Sequence, residues 1–87
     1  MAYRVEIHRT ARKQLLGSPQ DAQKEIAEVI DSLEADGRPS GCKKLRDTGL
    51  WRVRTGRYRI IYSIDDDARV ITVVKIAVRR EDTYKGI

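Results

Sequence analysis

The chain has 87 residues with one cysteine, one histidine, two prolines and no phenylalanine. A lone Cys42 cannot close an intramolecular disulfide, which fits a reducing compartment. With His8 as the sole histidine there is no Cys/His set for zinc and no Ser-His-Asp constellation. A glycine-rich phosphate loop is also lacking. No apolar run approaches the roughly 20 residues of a membrane span, and the N-terminus carries no signal-peptide apolar region. The expectation is a cytoplasmic protein with no membrane partner. Asp65-Asp66-Asp67 lacks the spacing of a calcium loop and has no partner histidines, so it reads as a solvated turn. No metal or other cofactor is implied.

The length gives a single domain, 1–87, near the lower end of what folds without staples. An apolar content of 40% is enough for a modest core. Net charge is +5, which favours an acidic partner such as nucleic acid. The distribution is more telling than the sum. Arg38, Lys43, Lys44, Arg46, Arg52, Arg54, Arg57 and Arg59 crowd one stretch, against a single acid, Asp47. From Ser18 to Asp36 the balance is reversed, and Lys24 is the one base among many acids.

The basic stretch contains the strongest local signal in the chain, LWRVRTGRYRIIYSI from Leu50 to Ile64. It reads as two strands joined at Gly56-Arg57, where a glycine at the first central position suits a type II′ turn. That turn predicts Thr55 opposite Tyr58, Arg54 opposite Arg59, Val53 opposite Ile60, Arg52 opposite Ile61 and Trp51 opposite Tyr62. Alternation then collects Trp51, Val53, Tyr58, Ile60, Tyr62 and Ile64 on one side and Arg52, Arg54 and Arg59 on the other. Like charges directly opposite one another destabilise a sheet by up to about 1 kcal/mol. A sequence that accepts this cost is read as holding a place for an anion, with a phosphate of RNA as the working identity. Trp51 and Tyr62 read as core rather than as base-stacking residues.

Tyr3 to His8 alternates as a strand with one apolar side. Thr10 reads as the cap of a first helix bearing Ala11, Leu15 and Leu16, with Gly17 as its stop. Ser18-Pro19 restarts a second helix with Ala22, Ile26, Val29, Ile30 and Leu33 on one stripe, and Gly37 is read as its end. Residues 38–49 read as loop and turn. Val70 to Val78 is a last apolar strand whose even positions are the more apolar set; if these face the helices, Lys75 and Arg79 join the arginines. The predicted fold is α+β: an N-terminal strand, a helical hairpin, then a three-stranded antiparallel meander in one sheet. The helices cover one side, and the arginine side is expected to be open and basic.

The short strand, the helical hairpin, LWRVRTGRYRIIYSI and a closing RREDTY together resemble the RelE/ParE superfamily of toxins from toxin–antitoxin pairs, over essentially the whole chain. The GRYRIIY stretch and the final Arg-Arg-x-x-x-Tyr sit better with the RelE branch. The resemblance implies a ribosome-dependent endoribonuclease that cuts mRNA in the A site, and a cognate antitoxin that holds it inactive. It also implies contact with the ribosome and its rRNA, and with operator DNA only through the antitoxin complex. Carried over by position, the candidate catalytic residues are Arg52, Arg54, Arg59, Arg80 and Tyr84. The chain departs from RelE in having arginines, not lysines, at 52 and 54, and many relatives have histidine where this chain has Arg79. The proton acceptor is therefore left unassigned.

Cleavage of this kind has the 2′-hydroxyl attack the neighbouring phosphate, and guanidinium groups suit the charge that develops on its oxygens. Arg59 and Arg80 are the candidates for that role, with Arg54 closing the clamp. Arginine itself, with a pKa above about 12, is a poor base at neutral pH. His8 lies on the first strand, and nothing in the sequence brings it to the arginines. Tyr84 reads equally as a proton relay or stacking group and as a packing residue, and Glu81 reads as a base or, more simply, as a solvated charge. Lys43, Lys44, Arg46, Arg57, Lys75 and Arg79 are candidate RNA-backbone contacts; for Lys43, Lys44 and Arg46 a solvated loop is the alternative. Two further functions stay open: a ParE-like inhibitor of DNA gyrase without nuclease activity, and a non-catalytic basic binding module.

Overall fold

A computed structural model of the chain describes residues 3–78. Arg79, Arg80, Glu81 and Tyr84, singled out above, lie outside the described residues. The elements in order are β1 (Arg4–Ile7), α1 (Arg9–Leu16), α2 (Gln20–Ser32), β2 (Lys43–Lys44), β3 (Leu50–Thr55), β4 (Tyr58–Asp65) and β5 (Val70–Val78). They form one five-stranded sheet in the order β1-β5-β4-β3-β2. β1 runs parallel to β5, and the other pairings are antiparallel. This is the predicted α+β arrangement with one strand added. β2 falls in a stretch read as loop, because two residues are too short to show alternation. Lys43 pairs with Arg52 and Lys44 with Trp51. No helix of the described residues is long and apolar enough to cross a membrane.

The helices cover one side of the sheet because their apolar stripes are complete there. Ala11 from α1, with Ala22, Ile26 and Ile30 from α2 and Leu33 just beyond it, meets Val53, Ile60, Tyr62, Ile71, Val73 and Ile76 from the sheet. Fully burying a side chain such as Ile26 or Leu33 contributes about 1.5–3 kcal/mol each, so this layer is the main source of stability.

The helix boundaries differ from those predicted. α1 is capped by His8, whose Nδ1 accepts from the Thr10 N–H at 3.2 Å, two residues before the predicted cap. α2 has Pro19 at its cap position without a side-chain cap, and Ser18 instead donates its hydroxyl to the Gln14 carbonyl of α1 at 2.8 Å. Gln23 ties the joint by donating to the carbonyls of Leu16 and Ser18. The second helix ends at Ser32, short of Gly37. Gly37 serves close packing instead, since a Cβ there would stand 3.0 Å from Ile71 Cδ1. Its carbonyl accepts from the buried Tyr62 hydroxyl at 2.8 Å.

β5 settles a register that its residues leave open. The register runs Ile61 to Lys75 and then Tyr62 to Val73, leaving Val74 as an extra residue in a bulge. A bulge shifts the alternation by one. Ile71 and Val73 therefore face the helices before it and Ile76 after it, instead of the even positions throughout. Lys75 emerges on the side of the arginines, paired with Ile61 in the row of Arg52.

One polar cluster closes the end of the sheet. The Asp66 carboxylate accepts from the Tyr3 hydroxyl at 2.7 Å and from both terminal nitrogens of Arg38, at 2.9 and 3.3 Å. Arg38 lies 4.9 Å over the Trp51 ring. It is thereby engaged by an acid and an indole, although the sequence placed it in the basic patch.

Candidate nucleic-acid interface

The β3–β4 hairpin sets the geometry of the site. Gly56 has a φ of +56° and Arg57 keeps a negative φ, as a type II′ turn requires. The predicted register holds at every pair from Trp51–Tyr62 to Thr55–Tyr58. In a two-residue loop the flanking Thr55–Tyr58 pair exchanges both hydrogen bonds, which leaves Arg54–Arg59 as a non-hydrogen-bonded pair. Such pairs have Cα atoms about 4.5 Å apart and bring side chains closest.

The ladder extends this pair into two cross-strand rows. One runs Arg54, Arg59, Ala77. The next runs Lys43, Arg52, Ile61, Lys75 across four strands. The rows are two residues apart, about 7 Å along the strands. A third row, Leu50, Ser63, Thr72 and Glu6, carries no cation. A fourth row, Arg4, Val70 and Asp65, holds one cation, and Arg4 pairs with Glu6 at 3.7 Å. The positive charge without a neighbouring acid thus lies in the half of this side nearest the hairpin tip. The acids on it, Glu6 and Asp65, belong to the remote half, and Asp65 accepts from the Ala68 N–H in the turn.

The expectation of an open arginine side is not met. Arg52 is 4% exposed and Arg59 is 3% exposed. Their places explain it in part. β4 is the central strand, so Arg59 and Ile61 have neighbours on both sides, and Arg52 stands between Lys43 and Ile61. Long arginine stems lie along such a surface. Arg54, beyond the reach of the two-residue β2, is exposed. Lys43, Arg46 and Arg57 are exposed as well, and Lys75 is half-buried.

The structure separates two residues that the sequence grouped. Lys43 shares the arginine side, whereas Lys44 pairs with Trp51 on the opposite side and holds its ammonium 6.0 Å from the indole centroid. His8 is spent on the α1 cap. One relevant group was missed. Glu25 of α2 accepts from Thr55 Oγ1 at 2.5 Å and lies against Gly56, where a Cβ would be 3.0 Å from its Oε1. It holds the hairpin tip from the helix side. No sequence signal marks a contact spanning thirty residues between an acidic helix and a turn. Among the described residues, no group of three or more His, Cys, Asp or Glu is placed to hold a metal ion.

The chain matches the family of the ParE toxin of the type II toxin–antitoxin system, parDE, over residues 5–83. It belongs to the RelE/ParE toxin superfamily. A candidate RelE1 toxin of Methanocaldococcus jannaschii is 35% identical over 90 residues, covering 99% of each chain. RelE in the archaeal RelE–RelB complex of Pyrococcus horikoshii is 36% identical, with a TM-score of 0.83 over 93% of this chain and 99% of that one. A chain of the RelBE2 toxin–antitoxin complex of Mycobacterium tuberculosis is 27% identical, with a TM-score of 0.81 over 91% and 100%. The full-length agreement with RelE proteins makes this a RelE-family toxin of the type II class.

Proposed function

We propose that this RelE-family chain is a ribosome-dependent mRNA endoribonuclease that cuts in the A site and is restrained by a cognate antitoxin. The observation that carries the reading is the Arg54–Arg59 pair in closest cross-strand register, with Arg52, Lys43 and Lys75 in the adjoining row. Guanidiniums facing each other across a ladder cost the sheet stability. A phosphate suits the pair: it accepts paired N–H donors from planar forks, and its charge rises as the 2′-hydroxyl attacks. Fixed cations aimed at such oxygens account for roughly 100- to 1000-fold in rate per group. The bond to the 5′ oxygen then breaks, giving a 2′,3′-cyclic phosphate and a 5′-hydroxyl. The half of the arginine side nearest the hairpin tip carries no acid or histidine among the described residues. Water can take the 2′-hydroxyl proton and return one to the leaving 5′ oxygen, while positioning of the RNA by the ribosome supplies the rate advantage. Arg80 and Tyr84 are proposed to complete the site.

The second reading is ParE-like inhibition of DNA gyrase, favoured by the family to which residues 5–83 match. Such an inhibitor has no chemical need for the facing arginines. The antitoxin partner is inferred from the complexes in which the RelE relatives occur. Any contact with operator DNA is assigned to the toxin–antitoxin complex. Primer extension on an mRNA incubated with ribosomes and purified protein separates the two functions. Cuts in A-site codons that vanish with Arg59→Ala support the nuclease. Gyrase-dependent DNA breaks with intact mRNA overturn it.

A further inference from the structure

The cations of α1 take no part in the site above. Arg9, Arg12 and Lys13 recur at positions i, i+3 and i+4, which places them on one side of the helix. The other side is committed to the sheet. Ala11 is in the core, Leu15 packs against it, and Gln14 Oε1 accepts from the Ile76 N–H of β5 at 2.7 Å. The three cations are exposed. Among the described residues none of them makes an ion pair or a side-chain hydrogen bond.

Two features set this stripe apart from an ordinary solvated helix. α1 contains no acid, so no i,i+4 partner neutralises it. Arg9 also opens the helix, at the end where the macrodipole disfavours a cation. Its neighbour α2 is rich in acids, so the positive charge belongs to α1 itself.

The position of the stripe decides what it can hold. The helices lie on the sheet side opposite Arg54 and Arg59, and the stripe points away from the sheet. The molecule measures 25 Å along its shortest axis. A short strand lying flat over the arginines is therefore on the face away from α1. Arg9 and Lys13 are about 6 Å apart along the helix axis, a spacing at which successive backbone phosphates can be met. A protein partner would need a central apolar anchor. Among the described residues the exposed large hydrophobics are Leu16 and Val78, and Leu16 alone adjoins the stripe.

We propose that the Arg9/Arg12/Lys13 stripe is a second RNA contact, which grips the phosphate backbone of folded RNA while the sheet takes the single-stranded substrate. The proposal rests on the ribosome-dependent reading above, since the ribosome presents both kinds of RNA together.

The test compares wild-type protein with the triple variant Arg9→Ala, Arg12→Ala, Lys13→Ala. Ribosome co-sedimentation is measured across a salt series, alongside filter binding of a short unstructured RNA. Alanine is the strongest helix former, and circular dichroism with thermal melting verifies the fold. A Gln triple variant serves if the first melts early. Ribosome affinity is expected to fall at least about 10-fold, and the log–log salt slope to lose about two units or more, at close to one per lost phosphate contact. Affinity for the short RNA stays within about twofold, since those contacts lie on the sheet. Unchanged ribosome binding overturns the proposal. So does equal loss on both RNAs, or loss of antitoxin binding with ribosome binding intact. If the wild type cuts no mRNA but the variant still loses ribosome binding, the nuclease reading fails and this one stands. Normal cutting with unchanged ribosome binding gives the reverse.

Discussion

Arg54 and Arg59 face each other across the β3–β4 ladder, yet one is exposed and the other is 3% exposed. The pair therefore splits into a guanidinium that meets solvent directly and one held within the surface of the central strand. Replacing Arg54 by Ala removes the like-charge opposition, which is worth up to about 1 kcal/mol, and opens no cavity. Arg54→Ala is expected to melt at or slightly above the wild-type temperature while mRNA cleavage falls roughly 100-fold or more. Parallel melting curves and single-turnover cleavage check this. A loss of activity matched by a loss of fold would remove the distinction between chemistry and structure.

Gly56 and Glu25 give a prediction about the hairpin tip. At φ +56° a side chain is strained, and a Cβ would come within 3.0 Å of the Glu25 carboxylate. Left-handed backbone costs an ordinary residue about 1–2 kcal/mol. Gly56→Ala should lose about that much in urea denaturation. Thr55→Val, which removes only the donor to Glu25, should lose about 0.5–1.5 kcal/mol. Both should weaken cleavage more than their stability cost explains, because register at the tip sets the arginine pair.

Much of this hairpin was legible from its residues. Gly56 fixes a two-residue turn, the turn fixes the register, and alternation does the rest. Val74 was not legible. In a run of Val70, Ile71, Thr72, Val73 and Val74 every residue suits either side of a sheet, so no pattern locates the bulge. β2 escaped for the opposite reason, being two lysines whose pairing depends on β3. The burial of Arg52 and Arg59 was hidden as well. Charge predicts solvent, although the meander already places Arg59 on its middle strand; Arg52 gains its second neighbour only when β2 pairs with β3. Glu25 belongs to the same class of non-local facts.

Tyr62 and Gly37 join the sheet to the loop after α2 through a buried hydrogen bond of 2.8 Å. Burial, with smaller contributions from Cys42 and Asp36, holds the Tyr62 phenol well above its ordinary value, against an opposing pull from Arg38. A raised value means that the neutral phenol is favoured by folding. Its stabilisation is thus complete below the unfolded value of 10.0 and is lost as pH rises beyond it. Ultraviolet titration of the folded protein should leave this phenol un-ionised until the chain unfolds in alkali. Tyr62→Phe leaves a buried carbonyl unsatisfied and should cost about 1–3 kcal/mol in chemical denaturation at neutral pH. An equal early ionisation of every tyrosine would contradict the assignment.

Asp66 supplies the acid-side counterpart. Hydrogen bonds from Arg38 and then from Tyr3 hold its carboxyl below the usual value of 3.8. A depressed value stabilises the fold above the unfolded value, and that contribution disappears as pH falls through the folded one. The group is exposed, so salt should weaken the effect. Asp66→Asn is expected to melt below wild type at pH 7 and low ionic strength, with the gap closing as pH drops below about 4 or as salt is added. Because Arg38 also covers Trp51, the variant should raise indole quenching by acrylamide at pH 7. A melting gap that persists in acid would place the effect of the substitution outside this ion pair.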